Sequence, residues 1–358
     1  MKKRSVIVTF FDEINYGAVF QSYALQSKLK EYTDEVCILD YQPSIMKLKK
    51  RIINTASMKS MLLSLITLSS SLRRKQIFKS FISKYLSVKT VRQCCEGDTE
   101  TYVFLGSDQI WNPRITAGVD PIFYGQIPGM TQKKTIAYAP SFGIKELSIE
   151  EKEAVGAMLK GIDLISVREN EGKDILVQLT DDEISVVCDP TILVGRQLWD
   201  EVKISPKEEG KYIFVYSLSQ NPMIDTIAHH IAHEKGIPIV EAYLGKKPKR
   251  STNTHRVIDD VRPEQFIGWL DKAEYVVTDS FHGTVFSLLY NKVFYSVPFV
   301  GKEGRIKNLL EIVGLSSRIA NSESDIHIED KIDYARVEEA LQRYRTVSEN
   351  YIERGISL

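Results

Sequence analysis

The stretch 274–292, EYVVTDSFHGTVFSLLYNK, shows in one short segment how the whole chain is organised. Glu274–Val277 is an apolar strand, a polar corner follows it, and Thr284–Tyr290 is apolar enough to form a buried helix. His282 therefore stands between the carboxyl end of a strand and the N-terminus of a helix. Ligands of open α/β sheets bind at such corners, and the first turn of the helix offers N–H groups to an anion. We take His282 as the first candidate for the chemical centre.

The same succession of strand, loop and helix continues outward from this stretch. The predicted strands are Ser5–Phe10, Val36–Asp40, Tyr102–Leu105, Thr135–Ala139, Leu164–Val167, Ser185–Cys188, Tyr212–Ser217, Pro238–Tyr243, Tyr275–Val277 and Val293–Ser296. The predicted helices are Ala18–Lys30, Ile149–Lys160, Met223–Lys235, Pro263–Lys272, Arg305–Val313 and Tyr334–Arg354. Strands that alternate with helices predict parallel sheets that are covered by helices on both faces.

This pattern is interrupted by the polar stretch Asp200–Gly210 and restarts near residue 205. We therefore predict an α/β fold with two Rossmann-like domains, residues 1–204 and 205–358, facing a cleft. The C-terminal helix either closes the second domain or crosses back to the first.

Composition narrows the class of protein. The 358 residues carry no net charge, so nothing global indicates binding to nucleic acid. The four cysteines include no C-x-x-C pair and no metal-like spacing with histidine, which predicts no bound metal. Vicinal Cys94 and Cys95 cannot easily form an ordinary disulfide, which predicts a reducing compartment. The N-terminus has no signal-peptide cleavage site, and the longest apolar window, Met58–Leu68, is too short to span a bilayer. These features predict a cytoplasmic protein.

One region departs from the alternating pattern. Between Tyr41 and Cys95 the sequence has twelve basic residues and no acidic one, with apolar residues among them. We predict a basic helical insertion at 44–95 in the first domain. One interpretation is that 44–92 lies on an anionic membrane at the inner face of the plasma membrane, or grips a phosphorylated lipid. The other is an insertion whose basic face is only solvated.

Polar motifs follow the strands of the first domain at the points where those strands end. They are Asn15-Tyr16-Gly17 with Gln21, Gly106–Asn112, Ser141-Phe142-Gly143, Arg168-Glu169 and Asp189-Pro190-Thr191. Because the carboxyl ends of parallel strands share one rim, these loops predict an active site there, with His282 facing it from the second domain. Simpler interpretations stay open: turns at Asn15–Gly17 and Ser141–Gly143, an ion pair between Arg168 and an adjacent glutamate, and strand termination at Asp189.

Together with Thr278–Thr284, these motifs resemble the polysaccharide pyruvyl transferase family over residues 5–315, in the family's own order. Members of that family have two-domain folds of glycosyltransferase-B type. The resemblance implies an enzyme that transfers the enolpyruvyl unit of phosphoenolpyruvate to a sugar, where it ends as a pyruvate ketal across two hydroxyls. It implies an acceptor that is a repeat unit of a capsular polysaccharide or exopolysaccharide, often lipid-linked, and no cofactor besides the donor substrate.

The resemblance also implies roles for single residues. A general acid must protonate the vinyl carbon, and His282 suits this role, while Arg168 suits a clamp on a carboxylate or phosphate. Arg305, at the start of a predicted helix, is a second anion-binding candidate. The catalytic candidates are His282 and Arg168, and the donor-binding candidates are Arg168, Arg305, Ser141, Gly143, Ser280 and Gly283. The acceptor-binding candidates are Asn15, Tyr16, Gly17, Gln21, Asp108, Gln109, Trp111 and Asn112, with Trp111 as a stacking surface for a sugar ring.

One position departs from the family pattern. Many relatives carry arginine two residues before the histidine, where this chain has Ser280. A cationic group for the donor is therefore missing, or it is replaced by a residue such as Arg305. Two alternatives stay open: a nucleotide-sugar glycosyltransferase of the same fold, and a non-catalytic protein that binds glycans or lipid phosphates.

Overall fold

The chain divides into two compact units. The computed structural model describes residues 2–43, 68–97, 99–131, 133–219, 221–244, 248, 254–299 and 303–358. The first unit comprises Met1–Ile14, Ala18–Leu193 and Thr346–Leu358, and the second comprises Asn15–Gly17 and Val194–Arg345.

Within the described residues, the first unit is built on a sheet of seven parallel strands. They are β1 (Lys2–Val8), β2 (Glu35–Leu39), β3 (Val88–Lys89), β4 (Thr99–Leu105), β5 (Lys134–Ala137), β6 (Leu164–Val167) and β7 (Ile184–Val186). Its helices are α1 (Tyr16–Leu29), which begins in the second unit, α2 (Leu68–Tyr85), α3 (Val91–Cys94), α4 (Pro113–Thr116), α5 (Ile149–Leu159), α6 (Asn170–Leu176) and α7 (Pro190–Leu193). The strand order β3-β2-β1-β4-β5-β6-β7 places the topological switch point between β1 and β4.

The described part of the second unit contains a sheet of five parallel strands. They are β8 (Ile213–Ser217), β9 (Ile239–Tyr243), β10 (His255–Ile258), β11 (Tyr275–Thr278) and β12 (Val293–Ser296). Its helices are α8 (Gly195–Val202), α9 (Pro222–Lys235), α10 (Pro263–Lys272), α11 (Phe281–Leu289), α12 (Gly304–Ile312) and the first part of α13 (Tyr334–Ile356). The order β10-β9-β8-β11-β12 places the switch point between β8 and β11. Two parallel sheets with helices confirm the predicted α/β fold with two Rossmann-like units.

Burial explains why the central strands could be found in the sequence. All four residues of β6 and of β11 are buried, as expected for parallel strands covered on both faces. The strands missed by prediction, β3 and β10, lie at sheet edges and carry polar residues such as Lys89 and Arg256. An edge strand needs no continuous apolar run, so its sequence gives little signal.

Asn15–Gly17 belongs to the second unit, and the division between the units differs from the prediction at two further places. It falls at residues 193 and 194, because α8 belongs to the second unit, where the buried ring of Trp199 lies edge-on to Phe286 at 5.0 Å. The exposed acidic residues of α8 make it look like a linker in the sequence. The end of α13 belongs to the first unit, where Tyr351 donates a hydrogen bond to Ala137 O at 2.8 Å. None of the helices in the described ranges has the length and apolarity needed to cross a bilayer.

The predicted basic insertion is described only from residue 68 onward, and residues 44–67 lie outside the described ranges. Its helix α2 buries Phe78, Phe81 and Ile82. The Phe81 ring lies edge-on to Phe20 of α1 at 5.9 Å. The C-terminal end of α2 is fixed by Gln26 of α1, which donates to Tyr85 O at 2.8 Å and accepts a hydrogen bond from Ser87 N at 2.6 Å.

Candidate active site

The switch point of the second sheet is organised by Asp279, which follows β11. Its carboxylate accepts hydrogen bonds from Leu218 N at 2.7 Å, Ser219 N at 2.9 Å and the Ser217 hydroxyl at 3.0 Å, all at the end of β8. Asp279 thus ties together the two loops that form the crevice where open α/β sheets bind ligands.

His282 lies in the first turn of α11, and its side chain is mostly buried. Ser280 caps this helix: its hydroxyl accepts a hydrogen bond from Gly283 N at 3.3 Å. Such a cap satisfies an N–H group that has no partner within the helix. Gly283 packs against β11, since a Cβ at this position would lie 2.5 Å from Thr278 Oγ1. Ser280 and Gly283, predicted to bind the donor, therefore also have structural roles that hold His282 in place.

The segment Asn15–Gly17 packs within the second unit through Tyr16. The buried Tyr16 hydroxyl donates to Val261 O at 2.8 Å, and its ring stacks on Phe266 at 4.4 Å. Asn15 Oδ1 accepts a hydrogen bond from Gly17 N at 2.8 Å and so closes a local turn at the start of α1. Tyr16 is thus an anchor of this segment, with its ring and hydroxyl both engaged.

Gly17 lies directly against the imidazole of His282. A Cβ built on Gly17 would be 2.1 Å from Nδ1 and 2.4 Å from Cε1 of that ring. Real side chains do not approach so closely, so only glycine leaves room for the ring in this position. The structure therefore brings together two motifs that are far apart in the sequence.

An aromatic ring connects His282 with a cation. The Phe281 ring lies edge-on to the His282 ring at 5.2 Å, and the Arg305 guanidinium lies over Phe281 at 5.8 Å. Arg305 stands at the beginning of α12 and is partly exposed. This places the predicted second anion-binding residue on the same side of the second unit as the histidine corner.

In the first unit, Arg168 is buried among three carboxylates. Its Nη1 donates to Asp189 Oδ2 at 2.5 Å, while Glu169 Oε2 lies 3.6 Å from Nε and Asp108 Oδ1 lies 3.8 Å from Nη2. Burial lowers the pKa of Arg168, but the carboxylates of Asp189, Glu169 and Asp108 more than offset this, so its pKa is raised. An incoming anion would meet these carboxylates, which disfavours a clamp on an anionic donor. The clamp stays a prediction, and the simpler interpretation, an internal ion group, accounts for the contacts that Arg168 makes.

Ser141 and Gly143 support neighbouring loops of the first unit. The buried Ser141 hydroxyl donates to Glu169 Oε1 at 2.5 Å, and its backbone N donates to Asp108 O at 2.8 Å. A Cβ on Gly143, where φ is +59°, would lie 2.1 Å from Gln109 Oε1. The structure therefore brings Ser141 and Gly143 together with Asp108 and Gln109, both partly exposed, so these two remain candidates for binding a sugar.

Trp111 is not the exposed stacking surface that the sequence predicted. It is only 2% exposed, its Nε1 donates to Phe123 O at 2.9 Å, and Tyr124 stacks on it at 5.1 Å. One face of the indole is thereby already covered, and the side chain belongs to the core of the first unit.

Two further acceptor candidates are also engaged inside the first unit. Gln21 is fully buried, donates to Thr9 Oγ1 at 3.0 Å and accepts from Ser107 N at 3.2 Å, which links the loops after β1 and β4. Asn112 is the N-cap of α4 and accepts from Arg114 N at 3.0 Å.

The other histidines do not form a metal site within the described ranges. His229 and His233 are exposed on α9. His255 was not singled out in the sequence, yet it is buried and its Nε2 lies 2.9 Å from Glu241 Oε2. No local signal reveals this pair, because its members lie on different strands.

The model of the polysaccharide pyruvyl transferase family matches residues 15–298, a span that includes both Gly17 and His282. The chain belongs to this family. Among curated proteins, no sequence matches this pyruvyl transferase family member significantly.

Solved structures agree with the fold of this family member. A crystal structure of a UDP-N-acetylglucosamine 2-epimerase is 13% identical, with 99% of this chain and 95% of that chain covered and a TM-score of 0.54. A putative UDP-N-acetylglucosamine 2-epimerase from Listeria monocytogenes is 10% identical, with 98% and 91% covered and a TM-score of 0.51. This likeness shows the fold alone, which is the predicted glycosyltransferase-B type.

The way in which the motifs of this family member support one another is not visible in its sequence. Gly17 was predicted to bind the acceptor, whereas the structure places it under the His282 ring. A glycine in the first turn of a helix signals a close approach, but the sequence cannot name the approaching group. Val261 and Phe266, which hold Tyr16, carry no polar signal at all.

Proposed function

We propose that the chain transfers the pyruvyl unit of phosphoenolpyruvate to a sugar as a cyclic ketal, with His282 as the general acid. The observation that carries this proposal is the fixed position of the His282 ring, held between the first turn of α11 and Gly17. A general acid acts efficiently only when its ring is already oriented toward the reacting atom. Gly17 covers the Nδ1–Cε1 edge, so we assign proton transfer to Nε2, which is itself buried within the site.

The anionic donor is proposed to bind in the second unit. The N-terminus of α11 carries positive partial charge from its N–H groups, and Arg305 adds a full charge nearby. In the first unit, by contrast, the Arg168 cation is surrounded by carboxylates. Arg305 therefore takes over the role of the arginine that relatives carry at the position of Ser280.

The proposed reaction conserves atoms and charge. The His282 N–H gives its proton to the vinyl carbon of phosphoenolpyruvate, which becomes a methyl group and leaves an oxocarbenium centre at the adjacent carbon. A sugar hydroxyl adds to that centre, and its proton returns to His282. The bond to phosphate then breaks, a second hydroxyl of the sugar closes the ring, and the second hydroxyl proton leaves with phosphate.

The acceptor is proposed to be a sugar in a lipid-linked repeat unit of a capsular polysaccharide or exopolysaccharide, modified in the cytoplasm. Asp108 and Gln109 are the candidates for binding it, because both are partly exposed and follow β4 at its carboxyl end. A carboxylate and an amide suit sugar hydroxyls, which donate and accept hydrogen bonds. The four cysteines are thiols, which suits a reducing compartment.

A donor panel tests this proposal. The full-length chain is incubated with a set of lipid-linked oligosaccharides and either phosphoenolpyruvate or UDP-sugars. We expect phosphate release with phosphoenolpyruvate, and an acceptor whose mass grows by one pyruvate less one water. Growth by a hexose with a UDP-sugar would instead establish a glycosyltransferase, and binding of glycans without any product would establish a binding protein.

A further inference from the structure

Helix α2 presents a basic outer face that the proposed chemistry does not use. Its exposed cations are Arg73, Lys75, Lys79 and Lys84, and the sequence from Tyr41 to Cys95 contains no acidic residue. From Arg73 to Lys84, the four cations extend over about 16 Å along the helix axis. In a chain with no net charge, such separation of charge marks a surface with a distinct role.

The cations of α2 stand in two rows around the helix. At 3.6 residues per turn, Arg73 and Lys84 fall within about 20° of each other, and Lys75 and Lys79 within about 40°. The two rows lie roughly 150° apart across the outer face, opposite the stripe of Phe78 and Phe81 that packs toward α1.

The strip between the two rows is uncharged and exposed. It consists of Leu72, Gln76, Ser80 and Ser83, and Leu72 is 46% exposed. Long cationic side chains on both sides of this strip can reach lipid headgroups, and Leu72 offers one apolar contact between them.

We propose that this face of α2 docks the protein on a bilayer that contains anionic lipid. The positive rows meet the negative headgroups, and the uncharged strip lies at the level of the interface. This surface does not depend on the proposed catalytic role of His282, and its failure would leave that role untouched.

The test is vesicle co-sedimentation of the full-length chain. The two vesicle types are phosphatidylcholine alone and equal parts of phosphatidylcholine and phosphatidylglycerol. The α2 variant carries Arg73→Gln, Lys75→Gln, Lys79→Gln and Lys84→Gln. The matched control removes the same charge from exposed positions elsewhere, through Lys30→Gln, Lys160→Gln, Lys173→Gln and Lys207→Gln.

We expect the wild type and the control to bind the mixed vesicles, and salt to weaken that binding. The α2 variant should bind at least about 100-fold more weakly, because each cation near an anionic surface contributes about fivefold. Its turnover on a soluble acceptor should be unchanged. Equal binding by the α2 variant and the control, or no preference for anionic vesicles, would overturn the proposal. The proposal would also be overturned if the wild type bound soluble heparin as tightly as the mixed vesicles and the α2 variant lost that binding.

Discussion

The imidazole of His282 rests on the α-carbon of Gly17, at a distance that leaves no room for a side chain between them. Gly17 is in turn fixed by its neighbour Tyr16, which is anchored to Val261 and Phe266. The motif Asn15–Gly17 therefore contacts the motif that contains His282, and this contact positions the histidine ring.

Gly17→Ala should displace the His282 ring and lower turnover. The added methyl group would lie 2.1 Å from Nδ1, so either the ring or the start of α1 must move. A misplacement of about 1 Å can cost about 100-fold in rate, and we expect a loss of that order. Gly156→Ala in α5 is the matched control, because its nearest contact would be an ordinary 3.7 Å. If Gly17→Ala and Gly156→Ala turn over at the same rate, Gly17 does not position the His282 ring.

Ser280→Ala should destabilise the protein through loss of the α11 cap. The hydroxyl accepts from Gly283 N, and replacement of a capping serine by alanine costs about 1 kcal/mol. Ser280→Thr keeps a capping hydroxyl and should recover most of this loss. Urea unfolding of the three proteins measures the effect. If Ser280→Ala and Ser280→Thr are equally stable, the cap contributes nothing to the free energy of unfolding.

Arg168→Lys separates an internal ion group from a donor clamp. Lysine keeps the charge but cannot reach Asp189, Glu169 and Asp108 together, so stability should fall by about 1–3 kcal/mol. The KM for phosphoenolpyruvate should stay within about threefold of the wild type, because the donor is proposed to bind in the second unit. Arg196→Lys, at an exposed arginine, serves as the control. A large rise in the KM of Arg168→Lys for phosphoenolpyruvate, without loss of stability, would show that Arg168 binds the donor.

Glu35→Gln should change how stability depends on pH. Lys89 and Arg4 hold the Glu35 carboxylate, and these contacts, Lys89 first, lower its pKa against the opposing effect of burial. A carboxyl group with a lowered folded-state pKa stabilises the protein above its unfolded pKa, and that contribution is lost as the pH falls through the folded value. The stability gap between wild type and variant should thus be full at neutral pH and close below about pH 4. Chemical denaturation across this range measures the gap, and a constant gap would contradict the assignment.

Much of the fold could be predicted because its central elements are buried. The bounds of β6, α10 and β12 in the structure are those predicted, since each is an apolar or amphipathic run with polar or proline boundaries. The boundary near α8 could not be predicted, because contacts with distant residues hold this helix in the second unit, such as Trp199 with Phe286 and Arg196 with Asp271.

The contacts within the candidate site could not be predicted, and its location at strand ends stays a prediction. His282, Asp108 and Gln109 were chosen because ligand sites of parallel sheets lie at those ends. Trp111 lies at such an end too, yet it faces the core, since the local sequence does not fix the direction of a side chain. Similarly, Arg168 has the right residue type for binding an anion, but its sequence neighbours do not reveal the carboxylates of Asp108 and Asp189 that reach it from other loops.

The central claim, that His282 is the general acid of a phosphoenolpyruvate-dependent transfer, is tested most directly by the rate of ketal formation in His282→Gln. Mass spectrometry of the acceptor follows the product, calorimetry follows binding of phosphoenolpyruvate, and His229→Gln on the exposed face of α9 is the matched control. We expect the control to match the wild type, and His282→Gln to lose at least about 100-fold in turnover while still binding the donor. Turnover of His282→Gln at the wild-type rate would contradict the account.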